Sequence, residues 1–391
     1  MGALKHPLLF YLFMATQFQY IIIGAGCAGL QLAKALLQLP VELVNSILLI
    51  DANPQHEEKS WCFWYEADHP NRALVKKEWS HIEFITDGLA ICQTIQPKTY
   101  QYINSLEFYN HHIDYFNTQN RITIVTNHVN DITPQGKQVV VTTLQHQYIG
   151  NYVFYTNPAL GNSNYTPPAI WQHFLGWVVE TDTPTFNVDK ARMMDFSLDN
   201  TKDIRFVYVL PFRNNKALIE CTIFSESVET DASYEATLQN YMQEKFSCNY
   251  QITAKENGKI PMQLYQKPTL HHPNIIPIGT AAGCVKPSTG YSFTRAMQHT
   301  QQIIAAIQAQ QPIGHRFFKP RFAFYDSLFL TIIRDKPQVI KVVFTKLFKY
   351  NSIENVLLFL DEKSSLRQDI RIFARLPKMP FLKALVQHIS H

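Results

Sequence analysis

Three groups of residues in this chain have the types and spacings that chemistry requires. The first is Gly24-Ala25-Gly26-Cys27-Ala28-Gly29, with Asp51 22 residues beyond its last glycine. At this spacing Gly24 permits a tight turn, Gly26 lets backbone approach a pyrophosphate, and Gly29 lets a helix pack close to the preceding strand. The helix N-terminus then presents free N–H groups and the positive end of its dipole to phosphate. A carboxylate at Asp51 can accept hydrogen bonds from a ribose diol. The second group is Ile278-Gly279-Thr-Ala-Ala-Gly283-Cys-Val-Lys286-Pro287-Ser-Thr-Gly290-Tyr291-Ser292, whose small residues let backbone reach a flat ligand. The third is Glu220, inside the alternating run Ala217–Phe224, where it points with Leu218 and Thr222.

Each has a plainer reading. A glycine turn can occur by coincidence, and a glycine-rich loop can simply join a strand to a helix. A lone glutamate on a strand is, on local pattern alone, better read as a surface residue. Trp61 and Trp64 can be core filling, His173 a satisfied core histidine, and Arg213 the cap of a turn.

The elements that must hold these residues are legible in part. Gln17–Ile23 reads as a buried parallel strand, the repeat Leu30, Ala33, Leu36 and Leu37 as a helix ended by Pro40, and Ser46–Ile50 as a second strand. This is a βαβ unit, and it raises the glycine motif from a weak signal to a strong one. Flavin is favoured over nicotinamide because the motif opens the chain and a second glycine-rich segment lies far downstream. Trp61-Cys-Phe-Trp64 reads as a loop. Residues 72–153 read as strands with polar turns, including Ile122–Val125, Gln138–Thr143 and Tyr152–Tyr155. Further strands are expected at His173–Glu180, Arg205–Pro211, Ala217–Phe224 and Asn274–Ile278, with helices at Ala232–Phe246 and Ser292–Gln308. Beyond that the pattern is helical.

The expected fold is α/β: a Rossmann-like FAD-binding domain with an inserted β-rich substrate domain and a helical C-terminal region. The expected divisions are 17–75 for the βαβ unit, 76–160 for the rest of the FAD domain with some substrate-facing strands, 161–270 for the β-rich domain, 271–312 for the second FAD-binding segment, and 313–391 for the helical region.

Composition narrows the function. A 46% hydrophobic, 13% aromatic chain of 391 residues suits a globular protein with an apolar cavity. Its formal charge of +4 is too small to suggest nucleic acid. The six cysteines form no CxxC pair and no metal-ligand spacing, so reduced thiols, a cytoplasmic setting and no metal are expected. The N-terminal residues 1–16 read as an irregular extension, with a natural start at Met14 as one reading.

These residues resemble flavoprotein lycopene cyclases, the carotenoid ring-forming enzymes. The resemblance runs in order through Gly24–Ala33, Asp51 followed by Trp61-Cys-Phe-Trp64, Gln172-His-Phe-Leu-Gly-Trp177, Phe206–Thr222 and Gly279–Tyr291. Gln172–Trp177 and Lys286–Tyr291 are its most specific parts. It implies FAD, active in its reduced form without turning over, with NADPH as a possible reductant. The cofactor would be held by Gly24, Gly26, Cys27, Ala28, Gly29, Asp51, Gly279, Gly283, Pro287, Gly290 and Tyr291. The implied substrate is lycopene or a related acyclic carotenoid, bound by Trp61, Trp64, Trp177, Phe206 and Thr222 and cyclised from ψ-ends to β-rings.

The family's acidic motif is an aromatic or aliphatic pair followed by Glu, a variable residue and Thr. Here it reads Leu218-Ile-Glu-Cys-Thr222, which makes Glu220 the implied general acid. Cys221 stands where a second acid is often found, which speaks against a mechanism using two carboxylates. Lys286 stands where many relatives carry histidine, so no histidine role carries over. The rival readings are an FAD-dependent monooxygenase or isoprenoid reductase on an apolar substrate, and a non-catalytic carotenoid-binding flavoprotein.

Carotenoids live in lipid. From Arg334 to His391 the chain carries a net +6. Basic and aromatic residues mix in Lys341–Tyr350, Arg371–Arg375 and Phe381-Leu-Lys383, so a peripheral membrane contact is expected there, against the alternative of a solvated basic face.

Overall fold

A computed structural model describes residues 16–390 other than 54, 87, 315, 316 and 318; the reading of residues 1–15 as an extension lies outside these. The chain opens with β1 (Thr16–Ile23), α1 (Cys27–Leu37) and β2 (Ile47–Asp51), and β1 pairs with β2 in parallel. Leu30, Leu32, Ala33 and Leu36 are fully buried, which fixes the face that α1 turns to the sheet. The first sheet has the order β8-β2-β1-β11-β10-β9. It comprises β8 (Ile122–Thr126), β9 (Val129–Gln135), β10 (Gln138–Thr143) and β11 (Gln147–Tyr155), and β17 (Ile275–Pro277) joins β11 in parallel. The chain thus leaves this sheet at β11 and returns 120 residues later, with α5 (Phe293–Gln308) packing beside α1.

The excursion supplies five strands of a second sheet, which β5 and β6 from earlier in the chain complete to seven, in the order β16-β12-β15-β14-β13-β5-β6. Its strands are β5 (His81–Thr86), β6 (Leu89–Thr94), β12 (Ile170–Thr181), β13 (Lys190–Asp195), β14 (Ile204–Arg213), β15 (Lys216–Ser225) and β16 (Tyr250–Met262). One face packs on α4 (Asp231–Lys245) through Trp177, Ile219, Cys221 and Ile223. The other, carrying Phe206, Leu218 and Phe224, meets the C-terminal helices α6 (Pro320–Asp335), α7 (Gln338–Tyr350), α8 (Ile353–Leu360), α9 (Leu366–Arg375) and α10 (Lys378–Ser390). A small antiparallel sheet, β3-β7-β4, spans β3 (Ser60–Tyr65), β4 (Val75–Trp79) and β7 (Thr99–Asn104); α2 (Ser105–Asn117) follows it and α3 (Pro158–Gly161) follows β11.

Two elements differ from the sequence reading. Trp61–Trp64 is not a loop: it lies in β3, held along β7 from Ser60↔Asn104 to Tyr65↔Thr99, a pairing made by residues some 40 positions away. The stretch read as strands and turns contains α2. Its aromatic residues favour strand locally, but Phe108, His112 and Phe116 recur at helical spacing and are buried, and Asn104 caps it by accepting the Glu107 N–H at 3.0 Å. The polar segment 250–262 is the longest strand among the described residues, an edge strand whose charges blunt the sheet edge.

Candidate active site

The glycine turn joins β1 to α1. Gly24 has φ +104°, and a Cβ there would lie 2.1 Å from Thr156 Oγ1. A Cβ on Gly29 would lie 1.9 Å from the Gly24 carbonyl oxygen, so the helix can sit this close only without a side chain. Gly26 is different. Its backbone is ordinary, and a Cβ there would meet nothing within 4 Å. The space above the first turn of α1 is therefore open, and no side chain caps the helix end. That is what a pyrophosphate needs. Asp51 accepts the Ala25 N–H on Oδ2 and the Asn53 N–H on Oδ1 at 2.8 Å, which ties the end of β2 to the turn and leaves lone pairs for a ligand.

The second glycine segment lies against the first. A Cβ on Gly279 would come 3.0 Å from that of Ala28. Thr156, at the end of β11, braces both: its N–H bonds to Ile23 O, and its carbonyl accepts the Ala281 N–H at 3.1 Å. The sequence reading missed Thr156; its one signal was the position directly after a buried parallel strand. Gly283 and Gly290 take left-handed backbone, and Gly290 lies so close to Gln172 that a Cβ would stand 2.4 Å from its Oε1.

Between the two glycine segments and the larger sheet lies a cavity of about 320 Å³. Cys27, Gly290, Tyr291 and Phe293 line it on one side, Ser60, Trp61 and Cys62 on another, and Gln172, Phe174, Tyr208, Leu218, Glu220 and Ile260 form the sheet wall. Alternation explains that wall. Gln172, Phe174 and Gly176 of β12 share one face with Leu218, Glu220 and Thr222 of β15. Burial pushes the Cys27 thiol up to about 12, so it stays neutral in the first turn of α1. The Tyr291 hydroxyl is likewise pushed up to about 12, chiefly by burial.

Glu220 is the carboxyl that reaches this cavity from β15, and Thr222 donates its hydroxyl to Glu220 Oε1 at 2.9 Å. Burial first, then the charge of Glu256, pushes the Glu220 carboxyl well above its usual range. Glu256 was not among the site residues expected from sequence, because nothing local in β16 points to Glu220. In register, Glu220 on β15 and Glu256 on β16 flank Gly176 of β12. A second carboxylate therefore does stand beside Glu220, contributed by a different strand. Cys221, the position the motif offered for it, faces α4 on the other side of the sheet.

The other expected substrate residues separate. Trp61 lines the cavity. Trp64 lies behind it, edge-on to Tyr291 at 4.6 Å between centroids, with its indole N–H on Asp361 Oδ1 at 2.8 Å. Phe206 is fully buried among Phe196, Tyr208 and Phe224, one strand behind Thr222. Trp177 does not face the cavity at all: it packs on the α4 face, because it is one residue out of phase with Gly176. His173 shares that face, with Ser225 and Tyr234 as partners. Lys286 and Pro287 belong to the second glycine segment, where Lys286 bonds to Asp326 and Glu362 rather than turning to the cavity.

A protein-family model described as "Lycopene cyclase protein" matches residues 19–386. The chain belongs to this family. A lycopene beta-cyclase of Paracoccus sp. (strain N81106 / MBIC 01143) is 30% identical over 133 residues, which cover 33% of this chain and 34% of that relative's length. Among solved structures, a geranylgeranyl bacteriochlorophyll reductase-like protein from Thermoplasma acidophilum aligns with a TM-score of 0.60 at 13% identity, over 94% of this chain and 98% of that one. The p-nitrophenol 4-monooxygenase PnpA of Pseudomonas putida DLL-E4 gives 0.61 at 13%, over 90% and 98%. Klebsiella pneumoniae HpxO, solved with FAD and uric acid, gives 0.61 at 12%, over 88% and 96%. At such identities the likeness is one of fold: the Rossmann-like α/β architecture of flavoproteins, with a helical C-terminal region.

Proposed function

We propose that this chain cyclises the ψ-end groups of lycopene to β-rings, with Glu220 as the general acid. The observation that carries the reading is the placement of a buried carboxyl, held largely neutral, on the wall of an apolar cavity that also receives both glycine segments. An alkene carbon is a very weak base. Protonating it requires an acid that keeps its proton at neutral pH, exclusion of water, and surroundings that tolerate a cation. Burial and a neighbouring carboxylate supply the first. Phe174, Leu218, Ile260 and Phe293 supply the second. The faces of Trp61 and Tyr291 contribute cation–π attraction to the third.

FAD fits the open space above Gly26, with Asp51 toward the ribose and the second glycine segment, carrying Gly279, Gly283, Pro287 and Gly290, packed against that turn through Gly279 and Ala28. When bound in its reduced form it supplies a fixed negative charge near the cation, and NADPH serves only as its reductant. Glu220 gives its proton to the terminal alkene, the neighbouring double bond closes the ring, and proton loss ends the reaction without net redox change.

Substrate enters from lipid. The apolar face of α7 is consumed by the core through Val343, Phe344, Leu347 and Phe348. Val342 and Tyr350 of α7 remain exposed, but most of the exposed apolar side chains lie on α9 (Leu366, Ile370) and α10 (Met379, Leu382, Val386, Ile389), beside the exposed Arg367, Arg371, Lys378 and Lys383. This mixture suits an anionic bilayer surface. No helix among the described residues is long and apolar enough to cross a membrane.

Expression in cells that accumulate lycopene, followed by pigment chromatography, tests the reading. Monocyclic and bicyclic carotenes are expected. Unchanged lycopene alongside flavin-loaded protein refutes it, and stoichiometric NAD(P)H consumption coupled to product would place the chain with the monooxygenases or reductases.

A further inference from the structure

We infer that Glu256 is a positioning residue for the acid: with Glu220 it forms a carboxyl–carboxylate pair across Gly176 that holds one proton on Glu220 and recovers it after each ring closure. The reaction rests on the cyclase reading; the pair itself rests on strand register. Gly176 is opposite Glu220 on one side and Glu256 on the other. A Cβ at Gly176 would lie 3.2 Å from Glu220 Cβ and 3.3 Å from Glu256 Cγ, so the absent side chain is what lets the two carboxyls meet.

The two ends of Glu256 are unequal. Oε2 accepts the Ser60 N–H at 2.8 Å. Oε1 is buried without a hydrogen-bond partner, unless the Glu220 carboxyl, which is within reach, carries a proton to give it. Two carboxylates sharing one buried site disfavour double ionisation, which raises the affinity of one of them for a proton. Surrounding groups decide which one keeps the proton. Burial raises both carboxyls, but the Ser60 hydrogen bonds and the charge of Lys59 favour the anion at Glu256. No cation is among the causes that set Glu220, although Lys59 and Lys259 line the same cavity; its other facing groups are Cys62 of β3, Tyr100 of β7, Tyr208 of β14 and Tyr291 of the loop, all held neutral by burial, and Tyr102 of β7 is in the same state beside Glu256.

The cycle balances on this pair. The Glu220 O–H bond breaks as the alkene π pair forms a C–H bond. The next π pair forms the ring C–C bond. Two facing carboxylates now stand beside the cation, stabilising it and repelling each other. A ring C–H bond then breaks, its electron pair becomes the ring double bond, and the proton returns to the pair, where it settles on Glu220. Glu256 does not line the cavity and need not touch substrate.

The test uses flavin-loaded protein with lycopene in vesicles, comparing wild type with Glu256→Gln and Glu256→Asp. Two readouts are followed against pH: the cyclisation rate, and the infrared carboxylic-acid band of ¹³C-glutamate-labelled protein, assigned by its absence in Glu220→Gln. In Glu256→Gln the alkaline limb of the rate and the titration of the band should both move down by at least about one pH unit, with Glu256→Asp between it and wild type. A rate that falls equally at every pH, with the band titrating as in wild type, would mean a merely structural role and overturns the inference. A shifted band in proteins that never cyclise lycopene sustains the shared proton and overturns the cyclase reading instead.

Discussion

Lys286 sets its ammonium 3.0 Å from each oxygen of Asp326, and both side chains are buried. Lys286 also reaches Glu362 at 3.3 Å, which in turn accepts Arg295 at 2.6 Å, while Arg295 bonds to the carbonyls of Gly283 and Cys284. This network bolts the second glycine loop to α6, to α5 and to the segment after α8. Lys286 thus has a structural partner in the helical region, and it lies five residues before Tyr291 of the cavity wall.

Replacing Lys286 by Met strands Asp326 beside Glu362 with one cation fewer. A loss of about 3–5 kcal/mol is expected, because a buried charge without its partner costs more than the pair contributed. Denaturant unfolding measures it. The double variant Lys286→Met, Asp326→Leu should recover much of the loss, since the uncompensated carboxylate goes with the lysine.

Glu220→Gln should reduce cyclisation by at least about 100-fold with flavin content unchanged, as expected when a general acid is removed. The same substitution should raise stability at neutral pH. A carboxyl whose folded pKa lies above its ordinary 4.5 favours the folded state fully only below that value, and this contribution is lost as pH rises from 4.5 through the raised folded value. The advantage of glutamine over glutamate should therefore grow with pH across that window and vanish below it. Thermal melting over a pH series checks the sign.

The glycines of the first turn should separate binding from folding. Gly29→Ala drives a methyl into the Gly24 carbonyl and should cost at least about 3 kcal/mol. Gly26→Ala meets nothing in the protein and should cost less than about 1 kcal/mol, yet fill the space proposed for pyrophosphate. Purified Gly26→Ala is expected to be folded and colourless, by circular dichroism and flavin absorbance.

Gly176→Ala should act as a wedge. Its methyl would stand 2.9 Å from Leu218 Cδ1 and between the two glutamates, costing about 1–3 kcal/mol as overpacking. Cyclisation should fall further than stability does, since the carboxyls are pushed apart. Rate measured well below the melting temperature separates the two effects.

For the lipid surface, Ile370→Glu or Leu382→Glu should weaken flotation with anionic vesicles. Neutralising Arg371 should cost about 1 kcal/mol, roughly fivefold in partitioning, and the effect should fade at high salt. Salt-insensitive binding to neutral vesicles would count against the electrostatic part.

The sequence by itself determined the βαβ unit, the two glycine segments and the strand carrying Glu220, because each is written in local spacing: a glycine turn after an apolar run, or side chains alternating along a strand. Alternation even contained the split of β12 into Gly176 and Trp177 faces. Which face meets the cavity was decided only by what packs on the sheet, and α4 took the side holding Trp177 and Cys221. Likewise the pairings of β3 and β16 are made by partners distant in sequence, and α2 forms although its aromatic residues favour strand locally. Glu256 is the sharpest case. It becomes a carboxylate beside Glu220 only because β16 docks on β12 opposite a residue with no side chain. That juxtaposition is a property of register between strands, which no single strand encodes.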